Sequence, residues 1–594
     1  MHRQLPIALT GLAALLTSAA LGAPATATGR AATAIHDLQG TTRLGKTGAA
    51  TVGGIVTALR TAGSKGFWIQ DPHADADPRT SEGLFVFTNA APAVTIGDNV
   101  TVSGTVSEYY PGGAQAGGQS ITQLSTPTIT VASHGNPLPA PVKLTDKDIP
   151  SPYAPDGAIE TKPLEPTKYG LDYYETLEGM RVQVSNARVV GPTNSHAELT
   201  ITAKPSERRT PRGGTLYGGY DQQNSGRLTV STLAGPAVPR ANVGDMLAGD
   251  TVGVLDYDQF GGYRIAATSL GKYTDKHLKP EVTAAAGAGE LTVATYNVEN
   301  LDPKDPPAKF DRLAAGIVTN LRSPAVVTLE EIQDNNRATN DGTVAADQTY
   351  AKLLASISAA GGPHYQYRQI DPVNNADGGE PGGNIRVGFL FNPATVSFTD
   401  RPGGDATTAV TVVKHGATAA LSASPGRISP AEDAWHSSRK PLVGEFVFGG
   451  KTVFVIANHF NSKGGDLPLT ARQQPVARPS EVQRRQQTAV VRAFVDKLLA
   501  AQPNANIVVL GDMNDYSFSP AITPLTAGGA LIDPLLSLPA AQQYSYVYQG
   551  NSQAIDHTLL SRSLAHYTYD LVHLNSEFAD QASDHDPQVT RLHL

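Results

Sequence analysis

The feature that most constrains this chain is a series of apolar segments that each end in Asn, Asp, Glu or His. The apolar run 507–510 is followed by Gly511, Asp512, Met513 and Asn514. Such a run is typical of a buried strand, and side chains two residues apart leave a strand on the same side. The Asp512 carboxylate and the Asn514 amide are therefore expected to converge just beyond a sheet edge. A plain turn would explain this motif alone equally well, because Asp and Asn are common turn formers.

Further segments of the C-terminal half end in the same way, which favours a shared site over a series of turns. In layered α/β folds the ends of neighbouring strands are the usual place for such a site. We therefore expect a dense patch of carboxylate, amide and imidazole groups on one rim. The groups are Asn297 and Glu299, Glu330 and Glu331, Asn458 and His459, Asp512 and Asn514, Asp556, and Asp584 with His585 and Asp586.

The segment 290–594 alternates strand patterns with helical patterns at 308–321, 345–359 and 479–500. This alternation predicts a layered α/β domain of roughly 300 residues. On the last of these helices, Arg484 and Arg485 are expected on the solvated face, where charged helix residues usually lie.

The N-terminal half is predicted to be all β. Short apolar strands with turn residues between them indicate a small barrel or sandwich over 34–133 and a second β domain over 169–275. Linkers are predicted at 134–168 and 276–289. In the first domain Asp71, Asp75 and Asp77 form an acidic loop. These carboxylates could hold Ca²⁺ as a structural ion, but a solvated hairpin loop is the simpler interpretation.

Composition and the N-terminus set the expected environment. Residues 1–27 have a basic start, an apolar stretch and a small-residue cleavage site, which predicts a signal peptide and a secreted, extracellular protein. No later segment has the roughly 20 apolar residues that a bilayer crossing needs, so no membrane partner is expected. The chain has no cysteine, which excludes disulfides and thiolate metal sites. The net charge of −8 argues against a sequence-independent basic nucleic-acid binder.

The residue types of the patch point to a metal and to phosphorus chemistry. Carboxylates a few ångströms apart raise each other's pKa unless a cation lies between them. Carboxylate and amide oxygens select hard ions, so Mg²⁺ is expected, with Mn²⁺ as an alternative. An Asp beside a His can orient the imidazole to take a proton from water. A metal ion with such a pair is suited to attack on phosphorus.

These residues also resemble a known family. Asn297, Glu331, His459, the 511–514 motif, Asp556 and the 583–585 motif are similar, in order and spacing, to the endonuclease/exonuclease/phosphatase superfamily. The resemblance implies a four-layer DNase I-like β-sandwich of the α/β (α+β) class at 290–594. The whole chain resembles bacterial secreted nucleases, in which two all-β, OB-like domains precede this catalytic domain.

The resemblance also implies a role for each matching residue. Glu331 is expected to be the principal metal ligand, although Glu330 stands where the family has Gln and leaves open which carboxylate binds. Asn297 and Asp584 are the other expected metal-site residues, with orientation of His585 as an alternative for Asp584. Catalytic roles fall to His459 as an acid, to Asp512 and Asn514 in aligning the nucleophile and holding phosphate, and to His585 with Asp556 as a base or a stabiliser of the phosphoryl oxygen.

The expected function is that of a metal-dependent hydrolase of phosphate esters, a nuclease that acts on extracellular DNA and also on RNA as an open alternative. Nucleic acid is the expected partner, no obligate protein partner is evident, and the β domains are expected to help dock the polymer. Two alternatives remain at this stage. One is a phosphomonoesterase or lipid phosphodiesterase of the same fold, and the other is a non-catalytic surface-binding protein.

Overall fold

The computed structural model describes residues 32–233 and 237–594. The predicted signal peptide at 1–27 therefore lies outside the described residues. No helix in these ranges combines the length and the apolar character that crossing a bilayer would require.

The first region is a closed five-stranded barrel in the order β1-β2-β3-β5-β4. Strands β3 and β5 run parallel, and the other neighbours are antiparallel. Alternate apolar side chains such as Val100 and Val102 fill its interior together with Phe67. Its elements are α1 (Ile35–Gln39), β1 (Gly48–Arg60), β2 (Gly66–Gln70), β3 (Gly83–Phe87), β4 (Asn99–Tyr109) and β5 (Ile121–Ser133).

The second region repeats this arrangement. Strand β11 pairs with both β12 and β8, so five strands close in the order β8-β9-β10-β12-β11, and β10 and β12 run parallel. Each position in this order corresponds to one in the first barrel. The elements are β6 (Val142–Lys143), β7 (Gly157–Ala158), α2 (Gly170–Glu175), β8 (Arg181–Gly191), β9 (Leu199–Thr202), β10 (Arg227–Thr232), β11 (Met246–Asp258), β12 (Gly262–Ser269) and β13 (Lys272–Thr274).

The third region, from residue 290 to the C-terminus, contains two stacked sheets and the longer helices. Its elements are β14 (Glu290–Leu301), α3 (Pro307–Ala315), β15 (Val326–Ile332), α4 (Asp347–Ala359), β16 (Gln366–Gln369), β17 (Arg386–Phe391), β18 (Ser397–Phe398), β19 (Val412–His415), β20 (Thr418–Leu421), β21 (Gly426–Arg427), β22 (Leu442–Phe448), β23 (Lys451–His459), β24 (Gln473–Gln474), α5 (Pro479–Ala501), β25 (Asn506–Asp512), α6 (Thr523–Thr526), β26 (Leu531–Ile532), β27 (Tyr546–Tyr548), β28 (Asn551–Gln553), β29 (Asp556–Ser561), β30 (Tyr567–Leu571) and β31 (Gln588–His593).

These elements form four layers. One sheet has the order β16-β17-β15-β14-β31-β30, and the other has the order β18-β22-β23-β25-β29-β26. Apolar side chains including Phe389, Phe446 and Val508 fill the space between the sheets. Helices α3 and α4 cover the outer face of the first sheet, and α5 covers that of the second. Full burial of one large apolar side chain in these layers stabilises the fold by about 1.5–3 kcal/mol.

One expectation for the α5 helix is wrong. Arg485 is exposed, but Arg484 is fully buried and its Nε donates to Asp515 at 2.8 Å. The Arg484 guanidinium also donates to the carbonyl oxygens of Asn461 and Ser462. Burying the Arg484 charge costs free energy that a solvated position would not, and these three acceptors compensate for that cost.

Candidate active site

The site is built around Asp512 at the end of β25. Strands β23 and β25 run parallel and pair Asn458 with Gly511 and His459 with Asp512. Gly511 has a φ of 132°, and a Cβ there would lie 2.0 Å from the Asn458 carbonyl oxygen. Only glycine permits this close approach of the two strands, because any Cβ would clash with the neighbouring backbone. The carboxylate of Asp512 accepts from the backbone N–H of Asn514 at 2.8 Å and from its Nδ2 at 3.3 Å.

Glu331 approaches the same point from the other sheet. Asn297 Nδ2 donates to Glu331 Oε1 at 3.1 Å and to Asp512 Oδ2 at 3.2 Å, so a single amide links the two carboxylates. Glu331 has a φ of +63° beside a register shift in β15. This left-handed conformation is uncommon for a residue other than glycine, and it directs the side chain to the site.

The structure separates the two adjacent glutamates. Glu330 is fully buried between the sheets, where Thr295 Oγ1 and Thr328 Oγ1 donate to its carboxylate at 2.9 and 3.0 Å. Burial raises its pKa well above the usual range for a carboxyl, and the Asp556 and Asp512 charges add to this effect. Glu331, rather than Glu330, is therefore placed to bind an ion.

His459 lies against both carboxylates. Its Nε2 is 3.7 Å from Glu331 Oε1 and 3.6 Å from Asp512 Oδ2, while its buried Nδ1 has no hydrogen-bond partner among the described residues. Burial lowers the His459 pKa well below its usual value, and the positive charges of Arg439 and His585 lower it further. The ring is thus held neutral, with a nitrogen directed at the two carboxylates.

His585 is held by a chain of hydrogen bonds. Ser545 Oγ donates to Asp556 Oδ2 at 2.6 Å, and Asp556 Oδ2 lies 2.9 Å from His585 Nδ1. The opposite nitrogen, Nε2, is 3.7 Å from Asp512 Oδ2. Burial by itself lowers the His585 pKa, but Asp556, Asp512 and Asp584 outweigh it and raise the pKa well above its usual value. The imidazole is therefore a cation that faces Asp512.

Asp584 lies at the rim rather than in the centre. Its Oδ1 is 3.9 Å from His585 Nε2, and its side chain is 35 % exposed. Glu299 lines the same opening, where burial and then the Asp584 and Glu331 charges raise the Glu299 pKa to about 7. The Tyr546 ring packs against His585 with centroids 4.8 Å apart. These three residues form the mouth of the site.

The donor set fits a hard divalent cation. One oxygen each from Glu331 and Asp512 lies within 4.8 Å of a His459 nitrogen, and Asp512, Asp556 and His585 form an overlapping group of the same size. Burial raises the Asp512 pKa to about 7, and the carboxylates of Asp556 and Glu331 contribute to this rise. A cation between these oxygens would remove that repulsion and favour ionised carboxylates.

The eight residues to which the family resemblance gives a metal-binding or catalytic role lie in one region, with Asp584 at its edge. Arg439, Ser545 and Tyr546 were not foreseen. Arg439 is buried, donates to the carbonyl oxygen of Phe460, and places its charge beside Glu331 and Asp512. None of these three follows an apolar strand, so the pattern of polar strand ends could not select them.

Two parts of the chain match known domain families. Residues 294–585 match the model of the Endonuclease/Exonuclease/phosphatase family. This domain belongs to that family. Residues 139–275 match a domain of unknown function. A comparison with curated proteins gave no match.

Solved structures similar to the family domain include three of different description. The human Nocturnin catalytic domain with bound sulfate is 11 % identical, with 52 % of this chain and 96 % of that chain covered and a TM-score of 0.34. D. rerio TDP2 complexed with a single-strand DNA product is 16 % identical, with 51 % and 98 % covered and a TM-score of 0.32. The mannosyl-6-phosphatase of Bacteroides thetaiotaomicron is 15 % identical, with 51 % and 99 % covered and a TM-score of 0.31.

Proposed function

We propose that this protein is a secreted, divalent-metal-dependent phosphodiesterase that hydrolyses extracellular DNA, with RNA as a second polymer it accepts. The observation that carries the proposal is the convergence of Glu331, His459 and Asp512 with the His585–Asp556 pair in a domain of this family. Secretion is proposed from the residue pattern of 1–27.

Glu331 and Asp512 would hold the cation, with Asn297 and the Oδ1 of Asn514 as neutral oxygen donors. The cation expected is Mg²⁺, because all these groups offer hard oxygen atoms, and Mn²⁺ fits the same set. A bound ion of this kind supplies Lewis-acid polarisation of a phosphoryl oxygen.

The residues of the chain have distinct proton states, which suggest their roles. Asp512, whose orientation is fixed by three N–H contacts, is placed to align a water molecule and accept its proton. The His585 cation is placed to donate to a developing phosphoryl oxyanion, and Asp556 keeps it charged. This assigns to His585 the stabilising role rather than that of a base. His459, held neutral, has no imidazolium proton to give, so the leaving oxygen would take its proton from water, and His459 would serve as a neutral polar contact of Glu331 and Asp512.

We also propose that the two barrels are OB-like and that the chain divides into the two β domains and the catalytic domain at the predicted linkers. The support is their shared strand order, in which the third and fifth strands pair in parallel. OB folds are five-stranded barrels that bind oligonucleotides and oligosaccharides.

The test is hydrolysis by the purified mature protein of supercoiled plasmid, RNA and p-nitrophenyl phosphate, each with Mg²⁺ and with EDTA. We expect cleavage of plasmid and RNA that EDTA abolishes, and little release of p-nitrophenol. Preferred hydrolysis of the monoester would make the protein a phosphomonoesterase. Plasmid cleavage that is unaffected by EDTA would contradict the metal-dependent mechanism.

A further inference from the structure

A groove of about 1480 Å³ runs across all three regions and ends at the mouth of the candidate active site. Glu299, Asp584 and Tyr546 line its catalytic end. The same surface continues over both barrels, so an elongated molecule bound there would reach the site at one end. We refer to it as the three-region groove.

The two barrels contribute equivalent elements to this groove. The first barrel lines it with the loop after β1, with β3, and with the loop after β4. The second barrel lines it with the loop after β8, with β10, and with the loop after β11, which hold the same places in the strand order. The loops after the first and fourth strands, with the face formed by the second and third strands, are where OB barrels bind oligonucleotides and oligosaccharides. Both barrels therefore present a ligand-binding face to the same groove.

Charged side chains in the barrel part of the groove mostly neutralise one another. Arg60 is paired with Asp256, and Arg264 is paired with both Asp258 and Glu198. The Arg240 guanidinium remains largely exposed and donates to a backbone carbonyl oxygen. A nearly neutral floor does not provide the row of free cations that binding of duplex phosphates requires.

Exposed aromatic rings are concentrated in the groove. Tyr109 of the first barrel is 44 % exposed, Phe260 of the second is 71 % exposed, and Tyr548 of the catalytic domain is 52 % exposed. All three line the groove. Phe518 is the other large aromatic side chain that is exposed in the described ranges, and it does not line the groove. Each of the three regions thus contributes one ring.

We propose that a single-stranded stretch of nucleic acid lies along the three-region groove, with bases stacked on Tyr109, Phe260 and Tyr548 and a phosphodiester delivered to the active site. This proposal rests on the proposed function and specifies that the nucleic acid substrate is bound as a single strand. Unpaired bases expose faces that can stack on aromatic rings whatever their sequence, whereas the bases of a duplex are stacked on one another. Because the floor is nearly neutral, binding should depend on salt less steeply than in a basic channel.

The experiment measures binding without cleavage. Fluorescence anisotropy in EDTA compares a labelled oligothymidylate of about 20 nucleotides, a duplex of the same length and a strand of about 5 nucleotides. Wild-type protein should bind the long strand most tightly. Phe260→Ala and Tyr109→Ala should each weaken that binding by about 5- to 100-fold, since a base stacked on an aromatic ring contributes about that factor. Phe518→Ala is the matched control, with an expected change of less than twofold.

The outcomes separate this inference from the proposed function. Unchanged binding in both groove variants, tighter binding of the duplex, or displacement of the strand by a neutral polysaccharide would each overturn the groove assignment. Tight binding that both variants weaken, in a protein that cleaves neither plasmid nor RNA with Mg²⁺, would support the groove and contradict the nuclease proposal. Cleavage with unchanged binding in the variants would support the nuclease proposal and contradict the groove.

Discussion

Two acidic loops of this protein have opposite electrostatics. One is the loop with Asp75 and Asp77 in the first barrel, and the other is the 511–514 loop of the third region, which holds Asp512. Each also lies beside a histidine, and His36, Asp75 and Glu82 form a close group just as Glu331, His459 and Asp512 do. The two loops nevertheless differ in whether their carboxylates are neutralised by the protein itself.

The barrel loop satisfies its own carboxylates. Asp77 accepts from Arg79 Nε at 2.9 Å and from the Arg79 backbone N–H at 3.0 Å, and these contacts lower the Asp77 pKa to about 2. Asp75 accepts from Thr80 and from the backbone N–H of Asp77. Burial instead raises the Asp512 pKa to about 7. A bound cation therefore stabilises buried carboxylates that the protein does not neutralise more than it stabilises exposed carboxylates that already have hydrogen-bond donors.

The largest expected effect comes from neutralising one acid in each loop. Asp512→Ala should lower plasmid cleavage by about a thousandfold or more, because it removes both the proposed base and a metal oxygen. Asp75→Ala should leave cleavage within about twofold. Rates should be measured at equal protein concentration, with circular dichroism to establish that both variants are folded. Equal losses in the two variants would remove the distinction between the loops.

A second comparison uses adjacent glutamates in the same strand. Glu331→Gln should reduce cleavage by about a hundredfold at a fixed Mg²⁺ concentration and raise the Mg²⁺ concentration needed for half-maximal rate. Glu330→Gln should change the rate by no more than a few-fold, since its carboxyl bonds only to threonines inside the sandwich. A titration of rate against Mg²⁺ concentration for both variants would reveal an exchange of these roles, if there is one.

Binding of a cation should also stabilise the fold. An ion that binds only the folded state, at a free concentration of about a hundred times its Kd, adds about 2.7 kcal/mol to the free energy of unfolding. This corresponds to a rise of several degrees in Tm. We expect saturating Mg²⁺ to raise the wild-type Tm, and Glu331→Gln to abolish that rise. Glu82→Gln, in the barrel cluster, should retain it. Loss of the Mg²⁺-induced rise in Glu82→Gln alone would place the ion in the first barrel.

The smallest effect is a dependence of stability on pH in EDTA. The Asp512 pKa is higher in the folded state than in the unfolded chain, so the unfolded chain loses this proton first as pH rises. Stability should therefore be unaffected below about pH 4 and decrease as pH rises towards 7. Asp512→Asn should exceed wild-type Tm by a few degrees above pH 7 and match it near pH 4. Asp77→Asn should show no such gain at pH 7, and a gain equal to that of Asp512→Asn would contradict the comparison.

Much of the architecture could be predicted because it depends on local patterns. The helical pattern at 345–359 matches α4 to within two residues. The long helical pattern at 479–500 matches α5 to within one residue. In each case apolar side chains recur at the spacing that one buried face requires. The strand ends also selected Asp512, Asn514 and Glu331, since the topology brings parallel strands to one edge.

Other features depend on contacts between distant segments, and a local pattern does not encode them. Arg484 has the spacing of a surface residue, but Asp515 from the loop after β25 accepts from it and its charge is buried. Arg439 precedes a strand with no distinguishing motif, yet its guanidinium donates to the carbonyl oxygen of Phe460, the residue after His459. The choice between Glu330 and Glu331 depends on a register shift in β15, which alternation alone would not predict.

The most direct measurement is an anomalous difference map from crystals of the mature protein soaked in Mn²⁺. We predict a peak within coordination distance of Glu331 and Asp512, next to His459, and none between Asp75 and Glu82. A peak confined to the barrel cluster, or none at either place at a Mn²⁺ concentration that supports cleavage, would contradict a metal site at the meeting point of the two sheets.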